Sequence, residues 1–238
     1  KSSRLHYLLP DIRFNENVSF FYDISKAVSG VQNIVLAVPS QYVREVMILA
    51  KKYIEPSARL INLAKGIENK SLKIISEIIL DVNGDTSNYV TLSGPSHAEE
   101  VVLGMPTAIV SASSSVEHSK AVQKLFSTDK LRVYTNEDLI GVEICGSAKN
   151  VIAIAAGFCD GFGYGDNTKS ALITRGIKEV ARLGLSFGAK IETFFGLAGI
   201  GDLIVTCGSK HSRNRMFGER IGKGKTLKNA IGKSHMVV

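Results

Sequence analysis

Between Val18 and Asn136 the chain alternates short apolar runs rich in β-branched residues with longer segments whose apolar residues recur every three or four positions. No other feature of the sequence limits the fold so strongly. NIVLAVPS (33–40), RLINLAKG (59–66), YVTLSGPS (89–96) and TAIVSAS (107–113) read as strands. QYVREVMILAKKYI, NKSLKIISEIILDV and SVEHSKAVQKLFST read as the helices between them. Strands such as IVLAV are apolar on both faces, so both sides of the sheet need cover. The expectation is an α/β fold: a doubly wound, Rossmann-like parallel sheet.

After LRVYTN (131–136) the strand signals fade. Two long helical stretches follow, DLIGVEICGSAKNVIAIAAGFCDG and TKSALITRGIKEVARLGLSFG, separated by the glycine-rich GFGYGDN. The change of character places a boundary near residue 138, with a sheet domain over 1–138 and an all-α domain over 139–238. There is no internal repeat, low-complexity tract or disordered linker.

A hydrophobic share of 45% supports substantial cores. No run approaches the roughly 18 apolar residues of a membrane span, and KSSRLHYLLPD lacks the h-region of a signal peptide, so a cytoplasmic location without an integral membrane segment is expected. Cys145, Cys159 and Cys207 are too few and scattered for a disulfide framework, and no spacing suggests a metal site. The formal charge of +7 suits nucleic acid, a membrane surface or a phosphorylated small molecule without choosing among them.

In doubly wound sheets, ligands sit beyond the carboxyl ends of the strands. Here VPSQ (38–41), AKG (64–66) and GPSHA (94–98) end three strands in residues of backbone freedom or polarity. One such ending is an ordinary turn; three at one edge predict a ligand crevice. Lys65 at that edge can hold an anionic or carbonyl oxygen, though strand-end lysines are commonly solvated. His97 reads as a loop or first-turn histidine.

Lys149 stands in ICGSAKNVIAIAAG, a helix apolar nearly all round from Ala148 to Phe158, which implies burial. A buried ammonium needs a partner or a shifted pKa. Either its stem packs while its head reaches solvent, or it stands at the crevice able to donate a proton to a carbonyl oxygen. Asn150 adds a neutral hydrogen-bonding group. Asp202, in the apolar GDLIVTC, needs a cationic or hydrogen-bonding partner if buried, and Lys149 is the candidate. Ser212, Arg213 and Asn214 form a plausible phosphate grip: a guanidinium fork flanked by a hydroxyl and an amide. GFGYGDN follows a helix and lacks the third glycine of GxGxxG; GKGKT lacks the first glycine of a P-loop.

Taken together, VPSQ, AKG, SGPSHAEE, GVEICGSAKNVIAIAAG, NTKSALITRG, GDLIVTC and SRNR occur in an order and spacing that resembles the NAD(P)-dependent glycerol-3-phosphate dehydrogenases of bacterial type. The likeness covers almost the whole chain. It implies an N-terminal dinucleotide-binding domain (1–138, partial), a helical substrate domain (139–238, partial), NAD or NADP as cofactor and a phosphorylated triose as substrate. The product of such an enzyme feeds phospholipid synthesis. The resemblance makes Lys149 the catalytic acid/base, supported by Asp202 and Thr206. It places Lys65, Gly94, Ser96, Asn150, Asp202, Ser212, Arg213 and Asn214 against substrate, and Tyr42, Lys65, Ala98, Arg213 and Val237 against cofactor.

That family opens with a strand, a GxGxxG turn and a helix, and continues beyond the residues matching Val238, so the chain reads as a fragment whose fold is incomplete at its N-terminus. If those pieces are absent from the molecule itself, the pyrophosphate grip is lost and very weak or no dehydrogenase activity is expected. The residue that selects NADH or NADPH lies upstream of Lys1. A homodimer is compatible with the sequence, which does not fix oligomeric state. Two rivals are a β-hydroxyacid dehydrogenase, which also uses a lysine on this helix, and a basic nucleic-acid-binding module over 210–228. The second lacks interleaved aromatics, so no nucleic-acid partner is expected.

Overall fold

A computed structural model describes residues 5–6 and 9–231 of the chain. A two-stranded antiparallel piece comes first, β1 (Leu5–His6) against β2 (Leu9–Arg13). A short helix, α1 (Ile24–Val28), then leads into a five-stranded sheet of β3 (Asn33–Leu36), β4 (Arg59–Asn62), β5 (Tyr89–Ser93), β6 (Thr107–Ala112) and β7 (Leu131–Asn136). The strands lie in chain order, β3-β4-β5-β6-β7. The connecting helices are α2 (Val43–Ala50), α3 (Ile75–Asn83), α4 (Ala98–Val102) and α5 (Val116–Phe126).

Strand alternation divides the core between the two faces. Leu60 and Tyr89 join Val43, Met47, Ile75 and Ile78 of α2 and α3, while Ile61 and Val90 face the opposite cluster with Val122 of α5. Each expected strand is present. The helix foreseen from Asn69 starts only at Ile75, because Leu72 takes a left-handed conformation (φ 58°) and Ser71 bonds back to Glu68.

The sheet departs from the all-parallel expectation at one junction. β3–β4, β4–β5 and β6–β7 are parallel, but β5 and β6 run antiparallel. The connection across 94–106 contains only the five-residue α4. Such a helix is roughly 7 Å long and cannot carry the chain back along a strand of roughly 17 Å, so the chain returns on itself. Gly94 opens that return with φ 138°, where a Cβ would press on Ile109 Cα at 3.1 Å.

Helices follow: α6 (Leu139–Phe162), α7 (Asp166–Ser186), α8 (Ile191–Phe194), a π-helical turn over Leu197–Gly201, α9 (Asp202–Gly208), α10 (Arg213–Gly222) and α11 (Leu227–Ile231). Asp138 caps α6 through the Gly141 N–H at 2.9 Å, and its other oxygen accepts from Lys190 N and Thr193 Oγ1. Buried Glu143 fastens α6 to the sheet, accepting from Tyr89 Oη (2.5 Å), Ser76 N (3.1 Å) and Ser76 Oγ (2.6 Å). Burial raises the pKa of both Glu143 and Tyr89.

One expectation needs correction here. α6 is not covered all round: Val151 is 60% exposed, and Phe158 and Phe162 are also open. Its apolar composition exceeds what its neighbours bury. By length and composition alone, Leu139–Phe162 and Ile191–Gly208 are also apolar enough to cross a membrane, with mean hydropathies of 1.5 and 1.4. Both are instead about half buried inside the molecule.

Candidate active site

The carboxyl ends of the parallel strands β4 and β5 bring AKG and GPS to one edge, and α6 and α9 meet them there. A single carboxylate joins the two halves. Asp202, 1% exposed at the start of α9, accepts from Lys149 Nζ at 2.5 Å through Oδ1 and from Lys65 Nζ at 2.8 Å through Oδ2. Lys65 Nζ also donates to the Gly94 carbonyl at 3.0 Å, and its stem passes over Gly146 of α6. Among the described residues no other carboxylate is within ion-pair distance of either ammonium.

Local structure explains why Asp202 points inward. The π-helical turn before it shifts the helix register, a distortion that recurs at functional sites. A Cβ at Gly199 would collide with the Phe194 backbone, so this turn can only be wound with glycine there. One helical turn further, Thr206 Oγ1 donates to the Asp202 carbonyl (2.6 Å) and accepts from Lys149 Nζ (2.9 Å). Lys149 therefore has a fixed geometry. Burial, and then the nearby Lys65 charge, lower its pKa to about 8, against the upward pull of Asp202.

The structure brings Lys65, Gly94, Lys149, Asp202 and Thr206 into one hydrogen-bonded centre. Ser96 Oγ donates to the Gly94 carbonyl at 3.2 Å beside it. Asn150 is half-buried and stands outside that set of hydrogen bonds. Ser212 caps α10, accepting from Arg215 N at 3.2 Å; Asn214 is buried, and Arg213 is exposed. Tyr42 and Ala98 are exposed, as positions that meet a ligand can be, and Val237 lies outside the described residues. His97 holds the N-cap position of α4, with its ring 6.0 Å from that of His211. Burial chiefly lowers its pKa.

Sequence reasoning missed that Lys65 shares the carboxylate of Asp202, since 137 positions separate them. The need of both groups for a counterion was the available signal. It also missed Asp160, whose partners Lys169 and Arg215 lie on two later helices.

Fold and centre define the class first: a Rossmann-like sheet joined to a helical unit, with a paired lysine and aspartate at the junction. The model of the NAD-dependent glycerol-3-phosphate dehydrogenase N-terminus matches residues 2–119, and that of the C-terminus matches 138–238. The chain is 50% identical over 232 residues to the glycerol-3-phosphate dehydrogenase [NAD(P)+] of Clostridium perfringens, covering 97% of this chain and 69% of that protein. With the Clostridium tetani protein of the same name the identity is 50% over 238 residues, covering 100% and 68%. Among solved structures, glycerol-3-phosphate dehydrogenase from Coxiella burnetii superposes with a TM-score of 0.90 at 39% identity, covering 95% of this chain and 70% of that one. The chain belongs to the NAD-dependent glycerol-3-phosphate dehydrogenase family.

Proposed function

We propose that this oxidoreductase interconverts dihydroxyacetone phosphate and sn-glycerol 3-phosphate with NAD(H) or NADP(H), supplying glycerol 3-phosphate to phospholipid synthesis. The observation that carries the reading is the Lys149–Asp202–Thr206 arrangement at the carboxyl edge of the sheet. The same edge fits a nicotinamide cofactor. Gly94 forms a cradle that a Cβ would crowd, and the buried Ser93 hydroxyl beside it has no hydrogen-bond partner. Tyr42, Lys65, Ala98, Arg213 and Val237 are the residues assigned to hold the cofactor, which supplies or accepts hydride when bound.

The residues of the chain do the rest. With a pKa of about 8, Lys149 is mostly protonated at neutral pH. Its ammonium gives a proton to the oxygen of the carbonyl as the carbon accepts hydride, forming the alcohol and leaving a neutral amine that solvent reprotonates. In the reverse direction the neutral amine takes the hydroxyl proton. Asp202 and Thr206 fix the direction of that ammonium, and Lys65 and Gly94 hold the reacting end of the substrate. Ser212, Arg213 and Asn214 anchor the remote phosphate, whose binding helps hold the carbonyl in register. The comparisons favour this reading over a β-hydroxyacid dehydrogenase. Three free cysteines suit a reducing, cytoplasmic setting.

The test is Lys149→Ala in the intact enzyme, with oxidation of NADH or NADPH followed at saturating dihydroxyacetone phosphate. The expected loss in kcat is about 100-fold or more, with cofactor affinity within about twofold. A near-normal kcat refutes the assignment.

A further inference from the structure

α6 carries Lys149 and α10 begins at the Ser212–Asn214 segment, so the distance between proton donor and phosphate grip depends on how these two helices pack. They pack backbone to backbone. A Cβ at Gly157 would strike the Arg215 carbonyl, and one at Gly161 the Glu219 carbonyl; a Cβ at Gly218 would strike the Ile154 carbonyl, and one at Gly222 the Phe158 carbonyl. Contacts advance in the same sense along both chains, so the helices run parallel. Continued by one turn, this register sets the first residues of α10 beside the turn of α6 that holds Lys149.

A charged clamp closes the seam. Asp160 lies eleven residues after Lys149, three turns of helix along the same face of α6. Its Oδ2 accepts from Arg215 Nε at 2.8 Å and lies 2.6 Å from Arg215 Nη2, while Oδ1 pairs with Lys169 of α7. Asp160 is 14% exposed and Arg215 15%, shielding that makes a charge-assisted contact of this kind effective. The backbone N–H of Arg215 is the group that Ser212 Oγ caps, at 3.2 Å. A continuous line of hydrogen bonds therefore runs from α6 through Arg215 to the first residue of the grip.

We infer that Asp160 is a positioning residue for phosphate recognition: through Arg215 it holds the N-terminal turn of α10 at a fixed place relative to Lys149. The inference rests on the reading of Ser212–Asn214 as the phosphate anchor.

The test compares dihydroxyacetone phosphate with unphosphorylated dihydroxyacetone in the intact enzyme and in Asp160→Asn. The expected result is a rise of about tenfold in KM for the phosphorylated substrate, with kcat/KM for dihydroxyacetone within about twofold of the parent. Asp160→Glu, which keeps the charge, should recover most of the loss. Equal losses on both substrates would show a general structural role and overturn the inference, as would no loss on either. Should Asp160→Asn not fold, Arg215→Lys, which keeps the charge but loses the fork, is read the same way. A parent enzyme that handles both substrates equally would remove the phosphate anchor itself, a failure distinct from that of the clamp.

Discussion

Replacing Asp202 by asparagine keeps the shape of the side chain but takes away the one anion shared by Lys65 and Lys149. Breaking a buried pair by removing one partner costs about 3–5 kcal/mol when the other charge stays in place. Lys149 has an escape, because it can shed its proton. Its folded pKa of about 8 lies below the 10.5 of an ordinary lysine, so the unfolded chain binds the proton more tightly and folding favours the neutral amine. In the variant that pKa falls further. Each pH unit below 8 at which the variant must release a proton the parent keeps then costs about 1.4 kcal/mol. Losing the less buried Lys65 pair adds about 1 kcal/mol. The variant should therefore be less stable by roughly 3–4 kcal/mol near pH 6, by roughly 2 near pH 7, and by only about 1 near pH 9, where Lys149 is neutral in both proteins. Urea unfolding at those pH values measures this directly, and the thermal midpoint near pH 6 should drop by about 10 °C. A loss independent of pH would refute the coupling between Asp202 and Lys149.

Arg213 is exposed at the start of α10; if it anchors phosphate as proposed, Arg213→Ala should raise KM for dihydroxyacetone phosphate by about tenfold or more with a smaller effect on kcat, and an unchanged KM counts against that role. Gly218→Ala separates two physical effects. Helix propensity alone predicts a gain of about 1 kcal/mol, whereas forcing a Cβ into the Ile154 carbonyl predicts a loss of about 1–3 kcal/mol. Denaturant unfolding reads the sign, and a gain would mean that the seam between α6 and α10 is loose.

Much of the sheet could be read from residue periodicity, because both apolar faces of its strands have to be buried. The antiparallel step at β6 could not, since it depends on how short α4 turns out to be. Lys149 and Asp202 were legible as a pair for one reason: each is a charge in an apolar run and needs the other. Lys65 gave no such sign, because a lysine at a strand end is at home in solvent until a second element closes over it. The four glycines at 157, 161, 218 and 222 are visible in the sequence at spacings of four, but their meaning needs both helices at once. Lys149 is buried as its apolar surround implies, but the helix is not covered all round, since Val151 and Phe158 satisfy the helical pattern without being covered.

The proton inventory of Lys149 is best tested by the pH dependence of kcat/KM in both directions, because that ratio reports the groups of the free enzyme. Ketone reduction needs the ammonium and should fall as pH rises through about 8, while alcohol oxidation needs the amine and should rise through the same value. Profiles that run parallel, or that stay level between about pH 7 and pH 9.5, would contradict Lys149 as the group that gives and takes the proton.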